Sequence, residues 1–238
     1  MLRFLDLIIS CVLIVAFAPL MLMLILLLRA TAEGEVFFRQ NRIGVGGTPF
    51  ALLKYATMLK DSPNLGSGTI TLKDDPRVLP VGRYLRALKI DELPQLYNVL
   101  KGEMSLVGPR PQTRRCFDTF SPLDQSIITQ ARPGLTGIGS LVFRNEENLL
   151  DPGKDPVHLY KYVIMPYKAE LEHWYIRNQG LRTYLLCILA TGWTAVFNKS
   201  SIVWYFFPGL PSPPDALASS VNWPGVKHYE GASEGSSS

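Results

Sequence analysis

A long apolar run opens the chain over residues 7–28, with few polar interruptions. About 22 helical residues at about 1.5 Å each extend about 33 Å, which is enough to cross a bilayer. Pro19 removes a backbone hydrogen bond and favours a kink near the middle of the run. The pattern predicts a membrane-inserted helix over residues 1–30, and its length alone is typical of a single span.

A cleaved signal peptide is the alternative interpretation of this segment. Arg3 precedes the apolar run, and Ala30-Thr31-Ala32 resembles a cleavage site. Against cleavage, the run is longer than the apolar region of a usual signal peptide, and Arg29 lies next to that site. Positive charge does not fix the orientation of the helix, because arginines both precede and follow the run.

After the helix, the pattern predicts two short strands over residues 35–40 and 49–55. The glycine-rich residues 44–47 between them predict a hairpin turn. A phosphate-binding loop is the other interpretation, but neither a Lys-Ser or Lys-Thr pair nor a helix start follows these glycines. Residues 61–69 contain one proline and two glycines, which predicts a flexible loop that can close over a substrate.

The last third of the chain holds two apolar segments. Residues 181–197 are largely apolar but include Arg182 and Gly192, which is typical of a buried or interfacial helix rather than a span. The aromatic residues at 204–207 fit either the headgroup level of a membrane or ordinary core packing. The small and polar residues 231–238 predict a disordered tail.

An adjacent acid pair, Asp91 and Glu92, precedes apolar positions that recur at helical spacing up to Gly102. Asp91 is a good N-cap, Pro94 is tolerated in a first helical turn, and Gly102 is a stop signal. The pattern predicts a helix that begins at the acid pair, where the helix dipole favours anions. Two interpretations stay open, simple capping and a site at which a carboxylate meets a phosphate.

Composition limits the classes of function. The 238 residues are 47% hydrophobic and 18% charged, with a formal net charge of +4. This basic excess suits an anionic membrane surface and phosphate ligands, but it is too small to indicate nucleic-acid binding. The three cysteines are widely scattered, which excludes a disulfide framework, and the three histidines lack the spacing of zinc ligands.

Five short segments carry a resemblance to a known family. They are Asp-x-Arg at residues 75–77, Gly-Arg-x-Leu-Arg at 82–86, Asp-Glu-Leu-Pro-Gln-Leu-x-Asn-Val-Leu-x-Gly at 91–102, Met-Ser-Leu-Val-Gly-Pro-Arg-Pro at 104–111, and Pro-Gly-Leu-Thr-Gly at 133–137. Together they resemble the bacterial sugar transferases known as monotopic polyprenol-phosphate phosphoglycosyl transferases. Lys54 lies in a segment similar to the family's Lys-Phe-Arg-Thr-Met, although Ala56 stands where arginine is common.

The resemblance implies a mostly helical α+β fold. The catalytic domain is expected over residues 31–200, with a short β-hairpin, followed by an aromatic, proline-rich segment and disordered tail over 201–238. The N-terminal helix is expected to be re-entrant, bent at Ala18 and Pro19 so that it enters and leaves one leaflet. This places the catalytic domain on the cytoplasmic face of the bacterial inner membrane.

The resemblance also implies a reaction. A sugar-1-phosphate passes from a nucleotide sugar, expected to be a UDP-sugar, to polyprenol phosphate, and UMP is released in this first membrane step of surface-glycan synthesis. Asp91 is expected to be the nucleophile that forms an aspartyl phosphosugar, and Glu92 to bind Mg²⁺. The expected phosphate-binding cations are Lys54, Arg86, Arg110 and Arg144.

Two other functions compete with this one. A membrane-associated glycosyltransferase also uses a nucleotide sugar and a carboxylate, but it releases UDP rather than UMP. A non-catalytic scaffold of a glycan-assembly complex would tolerate the substitution Asp91→Asn. Product identity separates the first alternative from the phosphosugar transfer, and the substitution separates the second.

Overall fold

The computed structural model describes residues 1–31, 34–65, 71, 74–150, 155–197 and 201–225, and these form a mostly helical α+β fold. The α-helices are α1 (Leu2–Thr31), α2 (Pro80–Ala87), α3 (Gln95–Lys101), α4 (Arg114–Phe117), α5 (Pro122–Ile128), α6 (Ile138–Val142), α7 (Pro156–Leu159), α8 (Met165–Arg177), α9 (Leu181–Val196), α10 (Ile202–Phe206) and α11 (Asp215–Ala218). The strands are β1 (Phe37–Ile43), β2 (Pro49–Tyr55), β3 (Ser105–Val107) and β4 (Gly134–Thr136). Short 3-10 turns occupy Val45–Gly47, Ser62–Asn64, Ile90–Glu92 and Glu146–Leu149, and a π-helical turn over Tyr160–Ile164 joins α7 to α8. The predicted fold class is confirmed.

The predicted hairpin is also confirmed. β1 and β2 pair antiparallel, from Phe37 opposite Tyr55 to Ile43 opposite Pro49. In the turn, Gly46 and Gly47 have φ angles of 63° and 78°, a left-handed conformation that glycine adopts without strain. The strand boundaries differ from the prediction, because pairing continues to Ile43 and begins only at Phe37. The turn leads directly into β2, so it has no helix start of the kind that a phosphate-binding loop needs.

A second small sheet, which the sequence pattern did not predict, brings two of the motif segments together. β3 and β4 pair in parallel, with Ser105 opposite Gly134 and Val107 opposite Thr136. The two segments approach each other very closely. A Cβ atom at Gly108 would lie 2.2 Å from the carbonyl oxygen of Arg132, and a Cβ atom at Gly137 would lie 2.1 Å from the carbonyl oxygen of Gly108. Glycine is therefore required at these positions because no larger residue leaves room for the neighbouring backbone.

Helix α1 packs against the rest of the protein near both of its ends. Among the described residues it is the one helix whose length and apolar composition are sufficient to cross a membrane. Leu5 and Ile9 contact the main core, whereas Leu24 and Leu28 are buried against a second cluster that contains Tyr55. Between these contacts, residues 15–19 are exposed. α1 is thus an integrated part of the fold, with an uncovered middle.

Asp6 anchors the N-terminal part of α1 to the domain. Its carboxylate is 2% exposed and accepts hydrogen bonds from Ser105 Oγ (2.9 Å), the Leu106 backbone N–H (2.9 Å) and Tyr184 Oη (2.9 Å). A buried carboxylate is costly unless it is hydrogen-bonded in this way. One polar residue of an apolar helix therefore joins α1 to β3 and α9.

The segment after residue 200 contributes to the main core. Val203, Trp204 and Phe207 are buried, and Trp204 Nε1 donates to the carbonyl oxygen of Val221 at 3.1 Å. Core packing is therefore the correct interpretation for Trp204 and Phe207, whereas Tyr205 is 81% exposed. The predicted disordered tail, residues 231–238, lies outside the described residues, as do residues 66–69 of the predicted flexible loop.

Glu172 on α8 is a buried carboxyl that contacts the loop around Arg110. It is 4% exposed, and its Oε1 accepts the backbone N–H of Arg110 at 3.2 Å, while its Oε2 has no hydrogen-bond partner. Burial raises the pKa of Glu172 from its usual 4.5 to about 7, because the opposing influences of the Arg110 N–H and of Lys168 are smaller. Glu172 is therefore a candidate for titration near neutral pH.

We expect Asp6→Ala to lower the free energy of unfolding by about 3 kcal/mol, because it leaves several buried donors without an acceptor. Thermal or chemical unfolding in detergent micelles measures the change. Asp118→Ala is the matched control, since Asp118 is 48% exposed and, in the part of the chain that the structure describes, pairs with Arg114 one helical turn away. We expect a loss within about 0.5 kcal/mol. Equal losses in the two variants would contradict the anchoring role of Asp6.

We expect Glu172→Gln to change how stability depends on pH. A carboxyl whose pKa is raised on folding stabilises the folded state when protonated, and this contribution is lost as pH rises from 4.5 through about 7. The variant should therefore gain stability relative to the unaltered protein between about pH 5 and about pH 8, by an amount on the order of 3 kcal/mol. Unfolding curves at both pH values measure it, and a difference that does not change with pH would contradict the raised pKa.

Candidate active site

A large cavity of about 1220 Å³ lies between α1, the hairpin, α6 and α9. One part of its wall is apolar and comes from α1, with Ile9, Leu13 and Phe17. Another part is charged. The charged residues that line the cavity include Lys54, Arg86, Lys89, Glu92, Arg110, Arg144, Glu146 and Lys168. The cavity is therefore lined on one side by apolar residues of helix α1 and elsewhere by a cluster of charged side chains that includes cations able to bind phosphate.

The acid pair lies in a 3-10 turn rather than at the start of a helix. α3 begins at Gln95, after Pro94, so the prediction that Asp91 caps this helix is wrong. A capping carboxylate bonds the N–H groups two or three residues ahead, and Pro94 has no N–H to offer. The predicted end of the helix is confirmed, because Gly102 terminates α3 with φ 87°.

Glu92 is the electrostatic centre of the cluster. Its Oε1 accepts from Lys54 Nζ at 2.8 Å and from Arg110 Nη2 at 3.1 Å. Burial by itself raises the pKa of Glu92, but the cations Lys54, Arg110 and Lys89 outweigh it and hold the pKa below its usual range. Glu92 is therefore an ionised carboxylate in a largely enclosed site.

Asp91 has a different environment from its neighbour. It is 3% exposed, and its Oδ1 has no hydrogen-bond partner. Burial raises the pKa of Asp91, and the charge of Glu92 raises it further, whereas Lys54 and Arg86 oppose the shift. A buried carboxylate oxygen without a partner is unusual in a folded protein, and it is typical of a catalytic group or of a site for an ion.

Each predicted phosphate-binding cation comes from a different element. Lys54 is on β2 and Arg86 is on α2. Helix α2 packs closely against the residues that follow β2, because a Cβ atom at Gly82 would lie 2.2 Å from the carbonyl oxygen of Thr57. The Nη1 of Arg86 lies 3.7 Å from Met58 Sδ. The chain's tight folding here brings Lys54 and Arg86 to the same wall of the cavity.

Arg110 is held from several sides. Pro109 and Pro111 flank it and restrict its backbone. Glu172 accepts its N–H, and Arg42 Nη1 donates to the carbonyl oxygen of Pro111 at 3.0 Å. The guanidinium of Arg110 is thereby fixed on Glu92 and lies 3.4 Å from Ser140 Oγ.

Arg144 completes the set at the end of α6, where it lines the cavity and burial lowers its pKa. The structure therefore brings Lys54, Arg86, Arg110 and Arg144 to one cavity with Glu92, whereas Asp91, the residue before Glu92, is buried and is not among the residues that line this cavity. The predicted bend residues Ala18 and Pro19 do not belong to this cluster. They lie on the exposed middle of α1, which is helical from Leu2 through Pro19 to Thr31.

Sequence reasoning missed a second charged pair in the cavity. Lys168 of α8 is 3% exposed, donates to Glu146 Oε1, and lies over the rings of Phe143 and Tyr160 at 5.2 and 5.3 Å. The two partners of this ion pair lie 22 positions apart in the sequence. The mixed pattern of α8 gave no signal that its lysine faces inward.

The donor set fits a magnesium ion of the kind that the resemblance implies. Among the described residues, no group of three or more His, Cys, Asp or Glu side chains forms a protein-only metal cage. Mg²⁺ is commonly held by one or two carboxylates together with substrate phosphates. Glu92, with the unpartnered Oδ1 of Asp91 next to it, is a donor set of that type.

Comparison with known proteins places the chain in a family. A sequence model described as bacterial sugar transferase matches residues 1–198. The chain is 45% identical over 143 residues to the UDP-glucose:undecaprenyl-phosphate glucose-1-phosphate transferase of Caulobacter vibrioides, which covers 58% of this chain and 52% of that protein. Over 193 residues it is 34% identical to the UDP-N-acetylgalactosamine-undecaprenyl-phosphate N-acetylgalactosaminephosphotransferase of Aeromonas hydrophila, which covers 79% of this chain and 42% of that protein.

A third relative matches along most of both chains. The uncharacterized sugar transferase EpsL of Bacillus subtilis is 34% identical over 188 residues, which is 78% of this chain and 83% of that protein. By contrast, the chain spans about half or less of the length of the first two relatives. The family match covers the apolar helix, the hairpin and all the cations around Glu92, and it confirms the resemblance of the motif segments. The chain belongs to the bacterial sugar transferase family.

Proposed function

We propose that this protein is a phosphoglycosyl transferase that moves a sugar-1-phosphate from a UDP-sugar to a polyprenol phosphate. The observation that carries the proposal is the pairing of an ionised Glu92, held by Lys54 and Arg110, with an adjacent Asp91 whose Oδ1 has no partner. The names of the relatives from Caulobacter and Aeromonas, which specify undecaprenyl phosphate and a UDP-sugar, support the same class of reaction.

In the first step, a carboxylate oxygen of Asp91 attacks the phosphorus that carries the sugar. The bond between this phosphorus and the bridging oxygen breaks, UMP leaves with the electron pair, and an aspartyl phosphosugar remains. Two anions repel each other, so the attack needs cations around the phosphates, and Lys54, Arg86 and Arg110 supply them. Burial and the charge of Glu92 raise the pKa of Asp91, while Lys54, Arg86 and Lys89 oppose the shift and favour the carboxylate that attacks.

In the second step, a phosphate oxygen of the polyprenol phosphate attacks the same phosphorus. The bond to the Asp91 oxygen breaks, which restores the carboxylate and gives polyprenol diphosphate sugar. Arg144 lies on the α6 side of the cavity, where it can bind oxygens of either phosphate. A Mg²⁺ ion held by Glu92 and a substrate phosphate supplies further charge neutralisation when it is bound.

The shape of the cavity suits an amphiphilic acceptor. Its charged part contains Lys54 and Glu92, and its apolar part contains Ile9, Leu13 and Phe17 of the membrane-type helix. A polyprenol phosphate has the same division into an anionic head and an apolar chain. In this cavity the lipid can lie beside α1 while its phosphate reaches Lys54 and Glu92, next to the turn that contains Asp91.

We propose that α1 is re-entrant and that the domain lies on the cytoplasmic face of the bacterial inner membrane. Both flanks of α1 pack on the same domain, through Asp6 at one end and Leu28 at the other, whereas residues 15–19 between them are exposed. A straight span would carry one flank to the opposite side of the bilayer. A bend at Ala18 and Pro19 lets the uncovered middle enter the membrane, and the anchoring by Asp6 supports retention of the helix rather than cleavage.

The two alternatives differ from this proposal in product and in mutational response. A glycosyltransferase releases UDP, because it breaks the bond between the sugar and the phosphate. A scaffold needs no carboxylate at position 91. The unpartnered Oδ1 of Asp91 favours chemistry over both structural capping and a scaffold.

We expect Asp91→Asn to abolish UMP release, with a loss of at least about 1000-fold, because the neutral amide is a poor nucleophile. The measurement is nucleotide release from a panel of UDP-sugars by the protein in nanodiscs with Mg²⁺ and polyprenol phosphate. Asp118→Asn is the matched control, since Asp118 is 48% exposed and lies on α4's end, and it should keep full activity. UDP as the product, or activity that survives in Asp91→Asn, would contradict the mechanism.

We expect both ends of α1 to be labelled from the cytoplasmic side. In a Cys11→Ser background, a cysteine placed before Met1 and one introduced as Ala30→Cys report the two ends, because the remaining Cys116 and Cys187 are buried. Inverted inner-membrane vesicles should react with a membrane-impermeant maleimide at both positions, and intact spheroplasts at neither. Labelling of the two ends from opposite sides would show a straight span and contradict the re-entrant helix.

A further inference from the structure

Lys89 has an unusual backbone conformation immediately before the acid pair. Its φ and ψ angles are 58° and 19°, in the left-handed region. Among the described residues the other non-glycine residues with positive φ are Asp74 and Asn222. Asp and Asn are enriched in that region because their short side chains bond locally, whereas lysine has no such compensation. Strain of this kind at a functional site is a reason to search for the role of the side chain.

The side chain of Lys89 lines the same cavity as Lys54, Glu92 and Arg110. Burial lowers the pKa of Lys89, and the charges of Arg110 and Lys54 act in the same direction, while Glu92 and Asp91 oppose them. Within the described ranges, no hydrogen bond is made by its ammonium group, and no carboxylate lies within 4 Å of it. Lys89 is partly exposed at the cavity wall, so the N–H donors of its ammonium group are available to a ligand there.

The neighbouring cations have protein partners. Lys54 and Arg110 both bond Glu92 Oε1, and Lys168 bonds Glu146. A substrate phosphate that binds them must share them with these carboxylates. Lys89 differs because it lines the cavity and, among the described residues, has no carboxylate within 4 Å of its ammonium group.

We propose that Lys89 is a substrate-binding residue whose ammonium group bonds a phosphate oxygen of the substrate next to Asp91. This inference rests on the proposed function and adds a residue to it. The left-handed residue Lys89 leads into the turn that contains Asp91 and Glu92, and both Lys89 and Glu92 line the cavity. The phosphate belongs either to the nucleotide donor or to the lipid acceptor, which share this chemistry.

The test separates the charge of Lys89 from its backbone. Lys89→Asn and Lys89→Gly both tolerate the left-handed conformation and remove the charge, whereas Lys89→Arg keeps the charge. Lys161→Asn is the matched control, because Lys161 is an exposed lysine on the π-helical turn. Binding of UDP, of uridine and of undecaprenyl phosphate to nanodisc-embedded protein with Mg²⁺ is measured for each variant.

We expect Lys89→Asn and Lys89→Gly to weaken binding of UDP or of undecaprenyl phosphate about tenfold or more, the loss of one charge-assisted hydrogen bond. Whichever of the two ligands is affected identifies the source of the phosphate. Uridine binding should not change, Lys89→Arg should restore most of the affinity, and Lys161→Asn should bind as the unaltered protein does. The weakened step should appear in the KM of the same substrate rather than in kcat.

A structural role predicts other results. If Lys89 only balances the charge of Glu92, then Lys89→Gly should unfold at a lower temperature than the unaltered protein, and its ligand affinities should not change. Under our proposal, Lys89→Gly relieves strain, so it should unfold at the same or a higher temperature although it binds more weakly. Unchanged affinity for both phosphates in Lys89→Asn would overturn the inference alone, whereas failure of the unaltered protein to bind either phosphate would also count against the proposed function.

Discussion

The structure depends on the burial of two adjacent carboxylates in one small turn. Like charges this close cannot both be ionised in an enclosed site unless cations neutralise them. Lys54 and Arg110 meet this requirement for Glu92, through contacts of 2.8 and 3.1 Å, so one carboxylate is ionised and fixed. Asp91 is left with a raised pKa and an unpartnered oxygen. Two adjacent residues with the same chemistry thereby have pKa values shifted in opposite directions by their surroundings.

Much of the remaining fold holds those cations in place. Arg110 is positioned by its two flanking prolines and by Glu172, which accepts its backbone N–H. The segments of β3 and β4 also approach each other closely at Gly108, two residues before Arg110. Asp6 accepts the backbone N–H of Leu106, so it joins the apolar helix α1 to β3, the strand that precedes Arg110. The membrane-type surface and the charged site meet in a single cavity for this reason, and a lipid with an anionic head can reach both.

Features that depend on local chemistry could be predicted from the sequence. The apolar run, the glycine turn of the hairpin and the helix end at Gly102 follow from residues that lie next to each other in the chain. The family resemblance also predicted that Lys54 and Arg110 belong to the candidate site, and both line the cavity. The N-cap assignment of Asp91 failed on a local detail, the missing N–H of Pro94.

Features that depend on distant pairing could not be predicted in this way. Asp6 accepts a hydrogen bond from Tyr184, which lies 178 positions away in the sequence, and Lys168 donates to Glu146, which lies 22 positions away. The parallel pairing of β3 with β4 joins two three-residue strands, which are too short for an alternating pattern to identify. Lys89 is a further case, since a lysine in an αL conformation has no signature in a single sequence.

We propose that Asp91 becomes covalently bonded to the phosphosugar. Mass spectrometry tests this on the protein after incubation with Mg²⁺ and UDP-glucose or UDP-N-acetylgalactosamine, without acceptor lipid, together with the UMP released in the same sample. We expect a sugar-phosphate mass increment on the peptide that contains Asp91, equimolar with UMP and removed when polyprenol phosphate is added. Release of UMP without a mass increment, or an increment located on another residue, would contradict it.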